Sequence, residues 1–229
     1  MVLPSIKVCG TVAGNIVTRD RITFPGGIMI SRPGLALLLV LLVALGGCAT
    51  YQIGVIDARP VDSYSNRLLI EGASVAADPY DSPEKVQRGF YLDVTSEGFY
   101  PVHLIFKNDT NDRLIMLRET VELVHATGNV YRPVRSTIMY NAFEKNKMAY
   151  ALLGFGIFSY MSAEDANRKM ETDYREKEIP EQVIILPGLR ANGFVYFQLP
   201  KGSTTKGSKL TLQVEKLDTR QKLRFEINL

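Results

Sequence analysis

The chain has 229 residues, with 27 Lys and Arg against 24 Asp and Glu and a formal charge of +3. Residues 1–47 hold four of those cations (Lys7, Arg19, Arg21, Arg32) and one of the anions (Asp20), so 23 of each sign remain beyond Gly47. That balance leaves no basic field to draw a phosphate backbone, which excludes nucleic acid as the expected partner. The only two cysteines, Cys9 and Cys48, exclude a disulfide-stapled scaffold. Roughly 180 residues beyond Gly47 suffice for one domain with a core of its own.

Residues 1–28 show no clear helical or strand pattern, and Met29 is the expected start of a compact leader, with Arg32 as its positive flank. The uncharged run Leu35–Leu45 then falls within the roughly 7–15 residues of a signal-peptide core. It is too short for the about 20 residues of a spanning helix. Leu45-Gly46-Gly47-Cys48 closes the run. This ending resembles the lipobox of bacterial lipoproteins: an aliphatic residue, two small residues and cysteine. The resemblance implies a diacylglyceryl thioether on Cys48, cleavage before Cys48 with loss of 1–47 (Cys9 included), and acylation of the freed amine. Ala49 stands where an aspartate would resemble an inner-membrane retention signal, so the resemblance favours the outer membrane. The implied localisation is the bacterial cell envelope, facing the periplasm.

Residues 48–66 are mixed and poorly periodic, and are expected to be the lipidated N-terminus and a flexible tether. About 18 such residues would reach on the order of 25 Å.

The domain is expected over 67–229. LLIEGASVAADPY reads as one strand ending at the breakers Asp78 to Pro83. GFYLDVTSEG and PVHLIFKNDTND alternate as strands, and RLIMLRETVELVHATGN reads as a long strand or a strand pair. Between about 136 and 178 the pattern changes. Ser136 to Lys147 is mixed, and Met148 to Met161 is continuously apolar. Ser162-Ala163-Glu164-Asp165 suggests an N-cap at Ser162, followed by a narrow stripe at Ala166, Met170 and Tyr174. An inserted helical hairpin is expected here. The charged run Glu171 to Glu178 reads as its solvated face. Strands return after Pro180: Gln182 to Leu186, a Pro187-Gly188 turn, Gly193 to Leu199, and a closing hairpin of LTLQVEKL and LRFEINL.

The run ILPGLRANGFVYFQLP, its polar loop and LTLQV resemble the late strands of small immunoglobulin-like domains on bacterial lipoproteins. A Pro-Gly turn precedes a Gly-Phe-Val-x-Phe strand in both. The resemblance covers roughly 180–229. It implies a mainly β, immunoglobulin-like β-sandwich, here with the helical hairpin inserted, and it brings no catalytic residue.

Chemistry-bearing residues are sparse. His103 and His125, the only histidines, are expected to be half-exposed on strand faces opposite the apolar residues. Asp78 and Asp81 flank Pro79-Tyr80 as turn formers. Neither set reaches the ligand count of a metal centre, and no nucleophile or phosphate-binding motif is present. No cofactor and no enzymatic activity are expected. The expected role is a lipid-anchored envelope module, structural or binding, whose partners are the membrane and another envelope protein. Two alternatives stay open. One is a subunit of a transport or secretion assembly docking through the apolar run, with Leu152, Leu153, Phe155, Ile157 and Phe158 at the interface. The other is an envelope hydrolase without a recognisable motif.

Overall fold

The computed structural model describes residues 21–23, 29–31, 51–144 and 160–229. The chain divides into two compact units, Met1–Gly47 and Cys48–Leu229. In the first unit the described residues form an antiparallel hairpin, β1 (Arg21–Thr23) with β2 (Met29–Ser31), in the register Arg21↔Ser31. Strand β1 lies in the stretch expected to lack a pattern. The turn formers Pro25-Gly26-Gly27 stand between the two strands in sequence.

In the second unit the strands come in the order β3 (Arg67–Ile70) and β4 (Ala73–Pro79), then helix α1 (Pro83–Phe90), then β5 (Phe99–Asn108), β6 (Leu114–Leu117), β7 (Glu122–Val124), β8 (Val130–Tyr131) and β9 (Pro133–Val134). Helices α2 (Ser136–Glu144) and α3 (Tyr160–Lys177) follow, then β10 (Gln182–Ile185), β11 (Arg190–Gln198), β12 (Lys209–Lys216) and β13 (Lys222–Asn228). The fold is mainly β. One antiparallel sheet runs β3-β4-β5-β11-β9. The other runs β10-β6-β12-β7-β8, with β13 on β12. The 3-10 turn Arg118–Thr120 interrupts what would otherwise be one strand, so β6 and β7 both pair with β12, at Val214↔Met116 and Leu210↔Leu123.

The two sheets face each other. Val75, Leu104 and Val195 of the first pack in one buried cluster with Met116, Leu212 and Phe225 of the second. The other face of the first sheet is covered too. Phe99, Phe194 and Tyr196 meet Val86 and Phe90 of α1, Met139 and Phe143 of α2, and Met170 and Tyr174 of α3. This makes three layers: helices, sheet, sheet. Strand β5 is therefore buried on both faces. That corrects the expectation for His103, which is 0% exposed and stacked on Phe194 at 4.7 Å. His125 is half-buried as expected.

Three stretches differ from the sequence reading. LLIEGASVAADPY is a hairpin rather than one strand. Glu71 (φ 47°) and Gly72 (φ 84°) form a two-residue turn, with Ile70 opposite Ala73. Two successive positive φ values match the twist of the flanking strands. GFYLDVTSEG is helical rather than extended. Ser82 accepts from the Lys85 N–H, Pro83 opens α1, Tyr91 (φ 62°) closes it, and Asp93 caps the 3-10 turn Val94–Glu97. Val86, Phe90 and Val94 lie four apart, and all three are buried. Helix α3 begins at Tyr160, which puts Ser162 inside the helix rather than at its cap. Met170 and Tyr174 of the expected stripe are buried. Most of the apolar run Met148–Met161 lies outside the described residues.

The expected tether differs most. Residues 51–64 do not trail away from the domain. Val61 and Tyr64 pack with Ala76 and Ile105, and Tyr51 joins the helical layer.

Candidate functional site: the clamp on the N-terminal segment

An α-helix leaves its last four carbonyls without intrahelical partners. In α1 the last regular bond runs to Gln87 O, and the carbonyls of Arg88, Gly89 and Phe90 beyond it are each met. The Tyr91 N–H donates to Gln87 O (2.8 Å), and the Val55 N–H donates to Arg88 O (3.0 Å). Lys177 Nζ donates to Gly89 O at 2.7 Å. The hydroxyls of Tyr51 and Tyr174 reach Phe90 O at 3.4 and 3.3 Å. A lysine at this end also opposes the negative pole of the helix dipole.

The same groups form a buried polar cluster. Asp173 is 3% exposed, and its Oδ2 accepts from Tyr51 Oη and from Lys177 Nζ, both at 2.6 Å. Asp173 and Lys177 are four apart on α3, so one helix face carries both. Tyr196 Oη donates to Tyr174 O at 2.8 Å. Burial pulls the Lys177 ammonium below the usual lysine range, against the opposing pull of Asp173. Burial, the neighbouring Tyr174 hydroxyl and the Asp173 carboxylate push the Tyr51 hydroxyl far up, so it stays a donor. Tyr196 is raised by burial as well. The run Glu171 to Glu178 is thus not wholly a solvated face: Asp173 and Tyr174 point inward, while Arg175 and Glu176 are exposed. Aspartate and lysine four apart around a tyrosine is a pattern the charge run concealed.

Glycine permits the close approach that completes the clamp. A Cβ at Gly54 would sit 2.1 Å from Gly89 O and 2.8 Å from Arg88 O. The segment therefore lies backbone to backbone on the end of α1.

A second polar cluster joins α2, α3 and the second sheet. Glu178 pairs with Arg118 and accepts from Ser136 N (3.2 Å) and Ser136 Oγ (2.5 Å), which caps the first turn of α2. Glu181 pairs with Arg135 and lies 3.6 Å from Arg118. The hollow beside them, about 320 Å³, is lined by the paired Arg118, Arg135, Glu178 and Glu181 and by the exposed Arg175.

Other residues singled out in the sequence have structural partners. Asp78 pairs with Lys85, and Asp81 accepts from Thr205 Oγ1 at 3.1 Å. His103 Nε2 meets Asn192 Oδ1 at 3.0 Å, and burial lowers its pKa. No group of three metal-ligating side chains occurs among the described residues. Among the described residues, no helix is long and apolar enough to cross a membrane. Cys48, Leu152, Leu153, Phe155, Ile157 and Phe158 lie outside the described residues.

No family model matches the chain, and no curated protein matches it. Among solved structures it is similar to the yjhA protein from Bacillus subtilis, at 8% identity and a TM-score of 0.34 over 70% of this chain and 95% of that one. It is also similar to a "putative lipoprotein (ycdA)" from Bacillus subtilis, at 12% identity and a TM-score of 0.36 over 71% of this chain and 38% of that one. Likenesses of that size carry no argument about this chain's fold or role.

Proposed function

We propose that this chain is a lipid-anchored envelope protein, acylated at Cys48, whose domain is a non-catalytic structural or binding module held close against the bilayer. The clamp at Tyr51 is the observation that carries the closeness. Only Ala49 and Thr50 separate Cys48 from Tyr51. Three Cα steps of at most about 3.6 Å reach roughly 11 Å, less than half the reach of a free tether. Acyl chains at Cys48 would hold firmly, since each buried methylene contributes about 0.8 kcal/mol.

The non-catalytic reading is supported by the saturation of the polar clusters. Asp173, Lys177, Glu178 and Arg118 spend their bonds on helix ends and one another. The reading also places the two-sheet domain among immunoglobulin-like sandwiches, supported by the Pro187-Gly188 turn (Gly188 φ 75°) ahead of β11. It places the anchor in the outer membrane, on the strength of Ala49.

Cys48→Ser tests it, with the intact mass of the mature protein and membrane sedimentation as readouts. The parent protein should begin at Cys48, carry the mass of its acyl groups and sediment with membranes. The variant should lose all three properties. Unchanged processing, acyl labelling and sedimentation in Cys48→Ser would remove the proposal.

A further inference from the structure

We infer that Ile53 and Val55 form a second, direct contact of this domain with the lipid surface, beside the acyl group; this rests on acylation of Cys48. The clamp sets the geometry. Gly54 faces the end of α1 with no room for a side chain, and the Val55 N–H is spent on Arg88 O. Gly54 and Ile56 lie against Gly89 of α1, while Ile53, at the rim of a hollow lined by Arg168 and Lys169 of α3, and Val55 stay open to solvent. They are 67% and 71% exposed, the two most exposed of the large aliphatic side chains among the described residues.

Isolated exposed aliphatics need no explanation. These two lie two positions apart on one segment, five and seven residues beyond Cys48. That spacing limits them to about 18 and 25 Å of chain from the anchoring sulfur. The pinned backbone further restricts how far they can turn from the bilayer. Acyl chains bring the surface to them, and the clamp costs them no further ordering. The ordering entropy that would penalise a loose tether has already been spent in folding. The occupant is therefore the headgroup and upper acyl region of the membrane that holds the lipid.

The test uses the full processed, acylated protein in vesicles of phosphatidylethanolamine with a minor share of phosphatidylglycerol. Ile53→Cys, Val55→Cys and, on the far sheet, Lys222→Cys carry an environment-sensitive fluorophore; intact mass reports acylation of Cys48. Labels at 53 and 55 should shift to the blue, be quenched by nitroxide lipids and be shielded from iodide. The label at 222 should show none of this. In an unlabelled pair, Ile53→Asp with Val55→Asp should speed transfer of the acylated protein between vesicles about tenfold. Acylated protein whose labels at 53 and 55 stay open to iodide overturns the inference and leaves the anchor standing. Labels shielded from iodide yet out of reach of nitroxide lipids also overturn it, because protein then covers them. An unmodified Cys48 takes down the anchor and this inference together.

Discussion

Tyr51 and Asp173 lie 122 positions apart, and their side chains meet at 2.6 Å. This bond joins the first described residues of the second unit to helix α3, far along the chain. It turns an expected tether into part of the domain. The relationship is asymmetric in energy. Asp173 holds two donors, whereas Tyr51 also has the weaker contact to Phe90 O.

Tyr51→Phe keeps the ring and removes the donor. It should cost about 1–3 kcal/mol, the range for a hydrogen bond to a charged partner in a buried site. Urea unfolding should show the lower midpoint. Hydrogen exchange at the Val55 amide should rise more than exchange in β5.

Asp173→Ala leaves Lys177 buried without its carboxylate. Breaking one side of a buried pair costs about 3–5 kcal/mol. A double cycle with Lys177→Met should recover part of the loss, because methionine leaves no buried charge in need of a partner. Equal stabilities for Asp173→Ala and the parent protein would show that the pair is unimportant.

Gly54→Ala drives a methyl group into the Gly89 carbonyl. The backbone of the segment must lift off α1, at a cost of about 1–3 kcal/mol for overpacking. Limited proteolysis between 51 and 60 should become faster, and the same change at the open Gly202 turn should not have this effect.

Asn108 is fully buried and joins two chain reversals. Its Nδ2 donates to Asp112 O and Ile185 O, both at 2.8 Å, and its Oδ1 accepts from Thr110 N at 2.9 Å. Asn108→Ala should cost about 2–4 kcal/mol by leaving those groups unmet. Asn108→Asp should be as harmful, because it sets a carboxylate against two carbonyls. Thermal midpoints of the two variants check both statements.

His103 makes stability depend on pH. Burial lowers its folded pKa below the ordinary value of 6.5, so the folded state favours the neutral ring. Above pH 6.5 its contribution is level. As pH falls below 6.5 the unfolded chain takes up the proton first, and stability drops until the folded pKa is passed. The thermal midpoint should therefore decline on acidification from about pH 6.5 to 5, before carboxylates titrate. In His103→Gln that decline should flatten.

Strand β5 and the closing pair β12–β13 were legible because alternation survives in them. Leu223, Phe225 and Ile227 face in, and the residues between them face out. β5 showed the same alternation for a different reason. Its second face is covered by helices and by Val61 and Tyr64, so the polar-looking His103 is buried. Helix α1 departs from the period-two reading because its apolar residues fit two periods at once. Phe90, Leu92 and Val94 fit a period of two, while Val86, Phe90 and Val94 fit a helix, and short apolar runs satisfy both. The caps Ser82 and Asp93 were the signal that separates them.

From the residues in order came the charge balance, the mainly β character, the insertion between strands and the expectation of an anchor at Cys48. Each is a local property, carried by composition, period or a short contiguous motif. The clamp was decided only in three dimensions. Tyr51, Gly54, Gly89, Asp173 and Lys177 acquire their roles from one helix end whose orphaned carbonyls need donors, and no local pattern records which distant segments will supply them.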